Sequence, residues 1–228
     1  MTVLAILGMH RSGTSWLAGT LEAMGLALGD VATQNPFNER GNRENPDILR
    51  LHGSVIQASG GGWRNPPRAA IWSDQQRREL ATIIASMGAR FDVWGFKDPR
   101  AMFVLDEWRR QVDGLRCVGI YRDPNAVAAS MADRGSHSVP RDEALDLWCT
   151  YNARLLAVHR AAPFPLLCFD ARPDALVADV VRIAPGLGLD ATRADAFFAQ
   201  EIRHQRAESN RLPLRCRRMM RRLEAARG

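Results

Sequence analysis

The chain has 228 residues, 46% of them hydrophobic, enough for one sizeable core, so a single domain spanning 1–228 is expected. No apolar run reaches the length of a bilayer span, and the four cysteines (Cys117, Cys149, Cys168, Cys216) lie far apart without metal-ligand spacing, so no integral membrane segment and no metal centre are expected, and reduced thiols in a cytoplasmic protein are the simplest reading. The net charge of +6 suits anionic ligands without implying nucleic acid.

Val3 to Leu7 form a short apolar run, read as a buried strand. It carries no charged leader, so no signal peptide is expected. Gly8-Met9-His10-Arg11-Ser12-Gly13-Thr14-Ser15 follows at once, and a helix is expected from about Ser12 to Met24, with Gly25 as its stop. A strand, tight loop and helix start of this kind offer backbone N–H groups to phosphate or sulfate. The glycine spacing is that of a Walker loop, but Thr14 stands where the lysine belongs, which argues against an ordinary ATP-hydrolysing site. A plain strand-turn-helix is the bland alternative.

Gly29 to Asn45 is polar and turn-rich, a surface loop long enough to carry function. A helix follows from Pro46 to about Ser59, with Pro at its first turn, Ile48, Leu49, Leu51, Val55 and Ile56 on its apolar face and Gly53 weakening it. Gly60 to Pro67 reads as a lid or a linker. Ser73-Asp74-Gln75-Gln76 is a capping box opening a helix to about Met87, where Gly88 should end it. Phe91 to Phe96 is a second strand leading into Lys97-Asp98-Pro99-Arg100, followed by a helix over Ala101 to Val112. Arg116 to Tyr121 is a third strand, ending in Arg122-Asp123-Pro124. Helices are expected at about Asn125 to Asp133 and Arg141 to His159, a fourth strand at Phe164 to Phe169, and a helix at Pro173 to Ile183. In the basic amphipathic segment 203–228, Arg211, Arg215, Arg218 and Arg222 share one helical face, and Leu212, Cys216, Met219, Met220 and Leu223 share another. Pro213 moves the helix start to about Leu214. The bland reading packs it on the core with a solvated basic side; an acidic acceptor, an anionic membrane surface or a partner are the sharper ones.

Strands alternating with helices point to an α/β fold, a central parallel sheet of about four to five strands flanked by helices on both faces. Ligands of such sheets sit at the carboxyl ends of the strands, so Gly8–Ser15, Lys97–Arg100 and Arg122–Pro124 should converge on one cleft. Its cations, His10, Arg11, Lys97, Arg100 and Arg122, imply a ligand with several anionic groups. Ser130 lies eight residues beyond Arg122, about two helical turns, and can meet the same anion, which makes a second phosphate site; the alternative is that each is satisfied locally. Of 31 Lys and Arg residues only Lys97 is lysine. Either chance left it, or position 97 needs a compact, flexible ammonium that a guanidinium cannot replace.

The first loop, Gly8 to Leu17, resembles the 5′-phosphosulfate loop of the sulfotransferases that use 3′-phosphoadenosine-5′-phosphosulfate (PAPS). Tyr121-Arg122-Asp123-Pro124 with Ser130 resembles that family's 3′-phosphate motif, and Leu166-Leu167-Cys168-Phe169-Asp170 its later strand with an aromatic-acidic end. Gly41 to Asn45 and Trp94 to Arg100 are similar to segments of its bacterial branches. The resemblance implies a P-loop NTPase-like sulfotransferase fold, PAPS as donor and 3′,5′-adenosine bisphosphate (PAP) as product, with no metal. It implies Arg11 on the phosphosulfate, Ser12, Gly13, Thr14 and Ser15 around the 5′-phosphate, and Arg122 and Ser130 on the 3′-phosphate. Two departures stand out. Lys97-Asp98-Pro99-Arg100 lacks the histidine that serves the cytosolic branch as base, so Glu44 is the best candidate, with Glu39 and His52 as alternatives. The late glycine-rich basic motif is missing, and Arg203, His204 or Arg206 would replace it. Lys97 and Arg11 would then stabilise charge on the leaving oxygen, and Glu44 would take the acceptor proton.

The acceptor is not readable from the sequence, with a small molecule, a glycan and a lipid headgroup all open; no nucleic-acid partner is expected, because the arginines are scattered without interleaved aromatics. The oligomeric state stays open, a homodimer included. Competing readings are a P-loop phosphotransferase or kinase with an altered Walker motif, and a nucleotide-binding module without catalysis.

Overall fold

The computed structural model describes residues 1–31, 41–133, 138–193 and 211–227. Four parallel strands, β1 (Thr2–Leu7), β2 (Val93–Lys97), β3 (Arg116–Tyr121) and β4 (Leu166–Cys168), lie side by side in the order β2-β1-β3-β4. The apolar run of β1 is buried along its length because it is a central strand covered on both faces. Alternation along it feeds two cores. Val3, Ala5 and Leu7 face a large cluster with Trp94, Phe96, Trp108 and Trp148; Leu4 and Ile6 face a smaller one with Leu17, Leu21 and Val180.

The smaller cluster is closed by α1 (Thr14–Ala23) and α7 (Pro173–Leu187). The larger one is closed by α2 (Pro46–Ala58), α3 (Asp74–Arg90), α4 (Ala101–Gln111), α5 (Pro124–Ala132), α6 (Arg141–Ala161) and α8 (Leu214–Arg227). The strand order reverses at β1, since the chain goes from β1 to β2 on one side and then returns to β3 on the other. That reversal opens a crevice beyond the carboxyl ends of β1 and β3, where the Gly8 loop and Arg122 stand.

Several boundaries differ from the sequence expectation. Helix α3 runs through Gly88 to Arg90, and β2 begins at Val93 rather than Phe91. Gly88 serves there as a close-approach residue, not a stop: a Cβ on it would lie 2.5 Å from the Met1 sulfur. Helix α7 continues past Ile183, carries Pro185 in its last turn, and ends where Gly188 adopts φ 80°. Strand β4 starts at Leu166 instead of Phe164, because Pro163 and Pro165 have no N–H to give the ladder. Helix α1 begins at Thr14, after the loop has used Ser12 and Gly13.

Helix α8 packs on the core, with Cys216 and Leu223 fully buried and Arg218 and Arg222 exposed. Arg215 pairs with Asp146 at 2.7 Å and Arg227 with Asp179 at 2.7 Å. All four cysteines are free thiols. The Gly60–Pro67 segment is strapped to its neighbours, since the Tyr151 hydroxyl donates to the Trp63 carbonyl at 2.8 Å and Arg64 to the Ser138 carbonyl at 3.1 Å. Among the described residues no helix is long and apolar enough to cross a membrane.

Candidate active site

The first loop is shaped by one glycine. Gly13 precedes α1 at φ 88°, and a Cβ added to it would fall 2.2 Å from the Phe169 ring. Both the dihedral and the space therefore require glycine. The first N–H groups of α1 consequently open toward the loop. Ser12 is fully buried, and its hydroxyl has no hydrogen-bond partner among the described residues. A buried hydroxyl without a partner beside a helix N-terminus suits an anion that supplies the missing acceptor. Ser15 donates to the Asn42 carbonyl at 3.3 Å, which ties the loop to the irregular segment before α2.

Arg11 joins this loop to the third strand. It is a non-glycine residue at φ 64°, an uncommon conformation. Its Nε donates to the Ser130 hydroxyl on α5 at 2.7 Å, and its carbonyl accepts from Arg122 Nη1 at 3.3 Å. Arg122 and Ser130, paired in the sequence by spacing and by the resemblance, are thus brought together through Arg11. Asp123 caps α5 by accepting from the N–H groups of Asn125 and Ala126 at 2.8 and 3.1 Å. Arg122 is further held by Asp170 at 3.5 Å and lies over the Phe169 ring at 5.2 Å from its centroid. The aromatic-acidic end of β4 therefore supports the same corner.

Lys97 ends β2 next to Ile6 in the register. Its side chain is 2% exposed, and its Nζ meets Glu44 Oε1 at 2.7 Å. Burial lowers the Lys97 pKa; the Glu44 charge and hydrogen bond oppose that shift. Glu44 is delivered by a kinked segment in which Gly41 and Arg43 take φ 71° and 54° and Asn45 caps α2. Arg43 pairs with Glu22 on α1, fixing that segment against the first helix. Lys97, Glu44, Arg11, His10, Arg100 and Trp63 line one cleft of about 290 Å³. The His10 ring stands edge-on to Trp63 and Tyr151, with centroids 5.5 and 5.7 Å away.

His52 does not belong to that set. It is fully buried, its Nε2 accepts from the Trp108 indole N–H at 2.8 Å, and its Nδ1 meets Asp98 at 3.0 Å. An indole only donates, so Nδ1 carries the proton and both ring nitrogens are committed. This corrects His52 as a candidate base: it holds Asp98, which in turn holds Arg100. Glu39, Arg203, His204 and Arg206 lie outside the described residues. Among the described residues no group of three or more His, Cys, Asp or Glu could hold a metal ion.

No protein-family model matches the chain, and no curated protein matches its sequence significantly. Solved structures do match. The sulfotransferase domain of the Synechococcus PCC 7002 olefin synthase aligns over 99% of this chain and 94% of its own, with a TM-score of 0.60 and 16% identity. The sulfotransferase STF1 of Mycobacterium tuberculosis H37Rv aligns over 98% of this chain and 76% of its own, with a TM-score of 0.50 and 16% identity. At such identities the likeness is one of fold: the α/β fold described above is the fold of these sulfotransferase domains.

Proposed function

We propose that the protein is a PAPS-dependent sulfotransferase of a reducing, cytoplasmic compartment, acting on a hydroxyl or amine of a small-molecule, glycan or lipid acceptor. The observation that supports this most is Arg11, which bonds Ser130 through its side chain and Arg122 through its carbonyl. A helix-N-terminal phosphate loop and a second cationic corner are thereby built as one unit, which suits a nucleotide with anions at both ends. ATP has no 3′-phosphate to place at the second corner. The residues fit the donor, because Ser12 offers a buried hydroxyl with no other partner and Gly13 leaves no Cβ against Phe169.

In this reading Ser12, Gly13, Thr14 and Ser15 hold the 5′-phosphate and Arg122 and Ser130 the 3′-phosphate, with Arg203, His204 or Arg206 proposed to take the place of the missing late basic motif. The sulfur–oxygen bond to the 5′-phosphate breaks as the bond to the acceptor atom forms. Charge left on the phosphate oxygen is met by Lys97 and Arg11, and the acceptor proton passes to Glu44. Lys97 and Glu44 already touch, so the proton acceptor and the ammonium that serves the leaving oxygen sit side by side.

Thermal-shift titration tests the reading. PAP is expected to stabilise the protein in a saturable way, whereas ATP with magnesium does so at least about tenfold more weakly, since each lost phosphate contact is a charge-assisted bond of about 1.5–3 kcal/mol. Stabilisation by ATP alone would favour a phosphotransferase, and PAP binding without turnover on any acceptor a nucleotide-binding module. A second expected result concerns Glu44→Gln: kcat falls by about 10²- to 10⁴-fold while PAP affinity holds. An unaltered rate would hand the proton to another group.

A further inference from the structure

A second cavity lies at the opposite end of the sheet. It measures about 460 Å³ and opens where β3 begins, between the last turns of α4 and α7 and the 162–165 turn before β4. Its walls are Leu115, Phe164, Pro165, Ile183 and Leu187. Phe164 is fixed there: the His159 ring stands edge-on to it at 5.0 Å, and its ring packs at Gly119, where a Cβ would meet it at 2.8 Å. The wall is therefore preformed.

Three arginines, Arg109, Arg116 and Arg182, line the same cavity. Arg182 is matched by Asp179 at 2.9 Å. The other two have no carboxylate among the described residues. Arg116 donates to the Gly186 carbonyl, and half-buried Arg109 lines the cavity together with the Cys117 thiol. Burial pushes that thiol up to about 11, so it stays protonated and supplies no negative charge. Part of both cations answers the carbonyl ends of α4 and α7. That leaves a half-buried guanidinium on the cavity wall beside a neutral thiol, where a carboxylate would supply the charge-assisted acceptor that the thiol does not. A pocket of this volume with mostly apolar walls and a few convergent polar groups has the make-up of a small-molecule site.

We propose that this cavity binds an amphipathic monocarboxylate, its apolar chain against Phe164 and Leu187 and its carboxylate on Arg109 and Arg116. The inference is independent of the sulfotransferase reading, because no residue of the first cleft takes part.

Titration calorimetry with octanoate, octanol and inorganic phosphate tests it on the intact chain. Octanoate is expected to bind saturably, at least tenfold more tightly than octanol or phosphate. Arg109→Gln and Arg116→Gln should each weaken octanoate by at least fivefold and leave octanol unchanged. Ala162→Trp, an exposed position at the cavity wall, should weaken both ligands without unfolding the protein. Binding should persist in saturating PAP. Absence of octanoate binding, equal affinity for octanol, indifference to the arginine variants, or displacement by PAP would each overturn the proposal.

Discussion

Lys97→Ala is expected to lower kcat for sulfuryl transfer by about 10²- to 10³-fold, the cost typical of removing one preorganised charge donor from a reacting oxygen. The fold and PAP affinity should survive, because Lys97 Nζ contacts Glu44 and not the Gly8–Ser15 loop or Arg122. The lost group is the only lysine in the chain, set at the end of a central-sheet strand with 2% of its side chain exposed. Lys97→Arg should rescue little. A guanidinium is planar and forked, and the space at the end of β2 holds a single ammonium against one carboxylate oxygen. Steady-state kinetics with PAP binding measured in parallel separates the outcomes. A variant with normal kcat removes Lys97 from the chemistry, and one that has lost PAP binding as well shows that it serves ground-state binding instead.

How much of this was legible beforehand depends on the range of the interaction. The strand ends were visible because short apolar runs stop at Gly8, Lys97 and Arg122, and a parallel sheet forces those ends to one side. The bond from Arg11 to Ser130 was not visible: it spans 119 residues and depends on Arg11 taking a left-handed backbone. His52 is an alternative base in the sequence only because the family's histidine is missing after Lys97. Only the third dimension shows Trp108 and Asp98 occupying its two nitrogens. Gly88 misled for a related reason, since a helix glycine reads as a stop until its neighbour, here Met1 from the chain's start, is known. Glu44 stands out in the sequence only by its place in the resemblance. Its distance from Lys97 came from two positive-φ residues whose conformation only one, Gly41, advertises.

The buried network behind the cleft yields the largest stability effect. Asp98→Ala is expected to cost about 3–5 kcal/mol, the usual penalty for removing one member of a buried ion pair. Asp98 is 1% exposed and accepts from His52 Nδ1–H at 3.0 Å and from Arg100 Nε and Nη2 at 3.0 Å each. Arg100 also donates to the Leu49 carbonyl at 2.9 Å, so the carboxylate ties β2, α2 and α4 through Arg100 and the His52–Trp108 bond. Desolvation works to raise the Asp98 pKa, but the hydrogen bonds and charges of His52 and Arg100 together outweigh it and hold the carboxyl well below the usual range. A depressed carboxyl contributes stability that is fully present above its unfolded pKa of about 3.9 and is lost as pH falls toward the folded value. Wild-type protein should therefore lose stability steadily below about pH 5, and Asp98→Ala, already weakened at pH 7, should lose less over the same window. Urea unfolding at pH 7 and pH 4 reads both effects. A loss under about 1 kcal/mol at pH 7, or an unchanged acid slope, would mean that Arg100 and His52 find other partners and that the network does not hold the cleft wall.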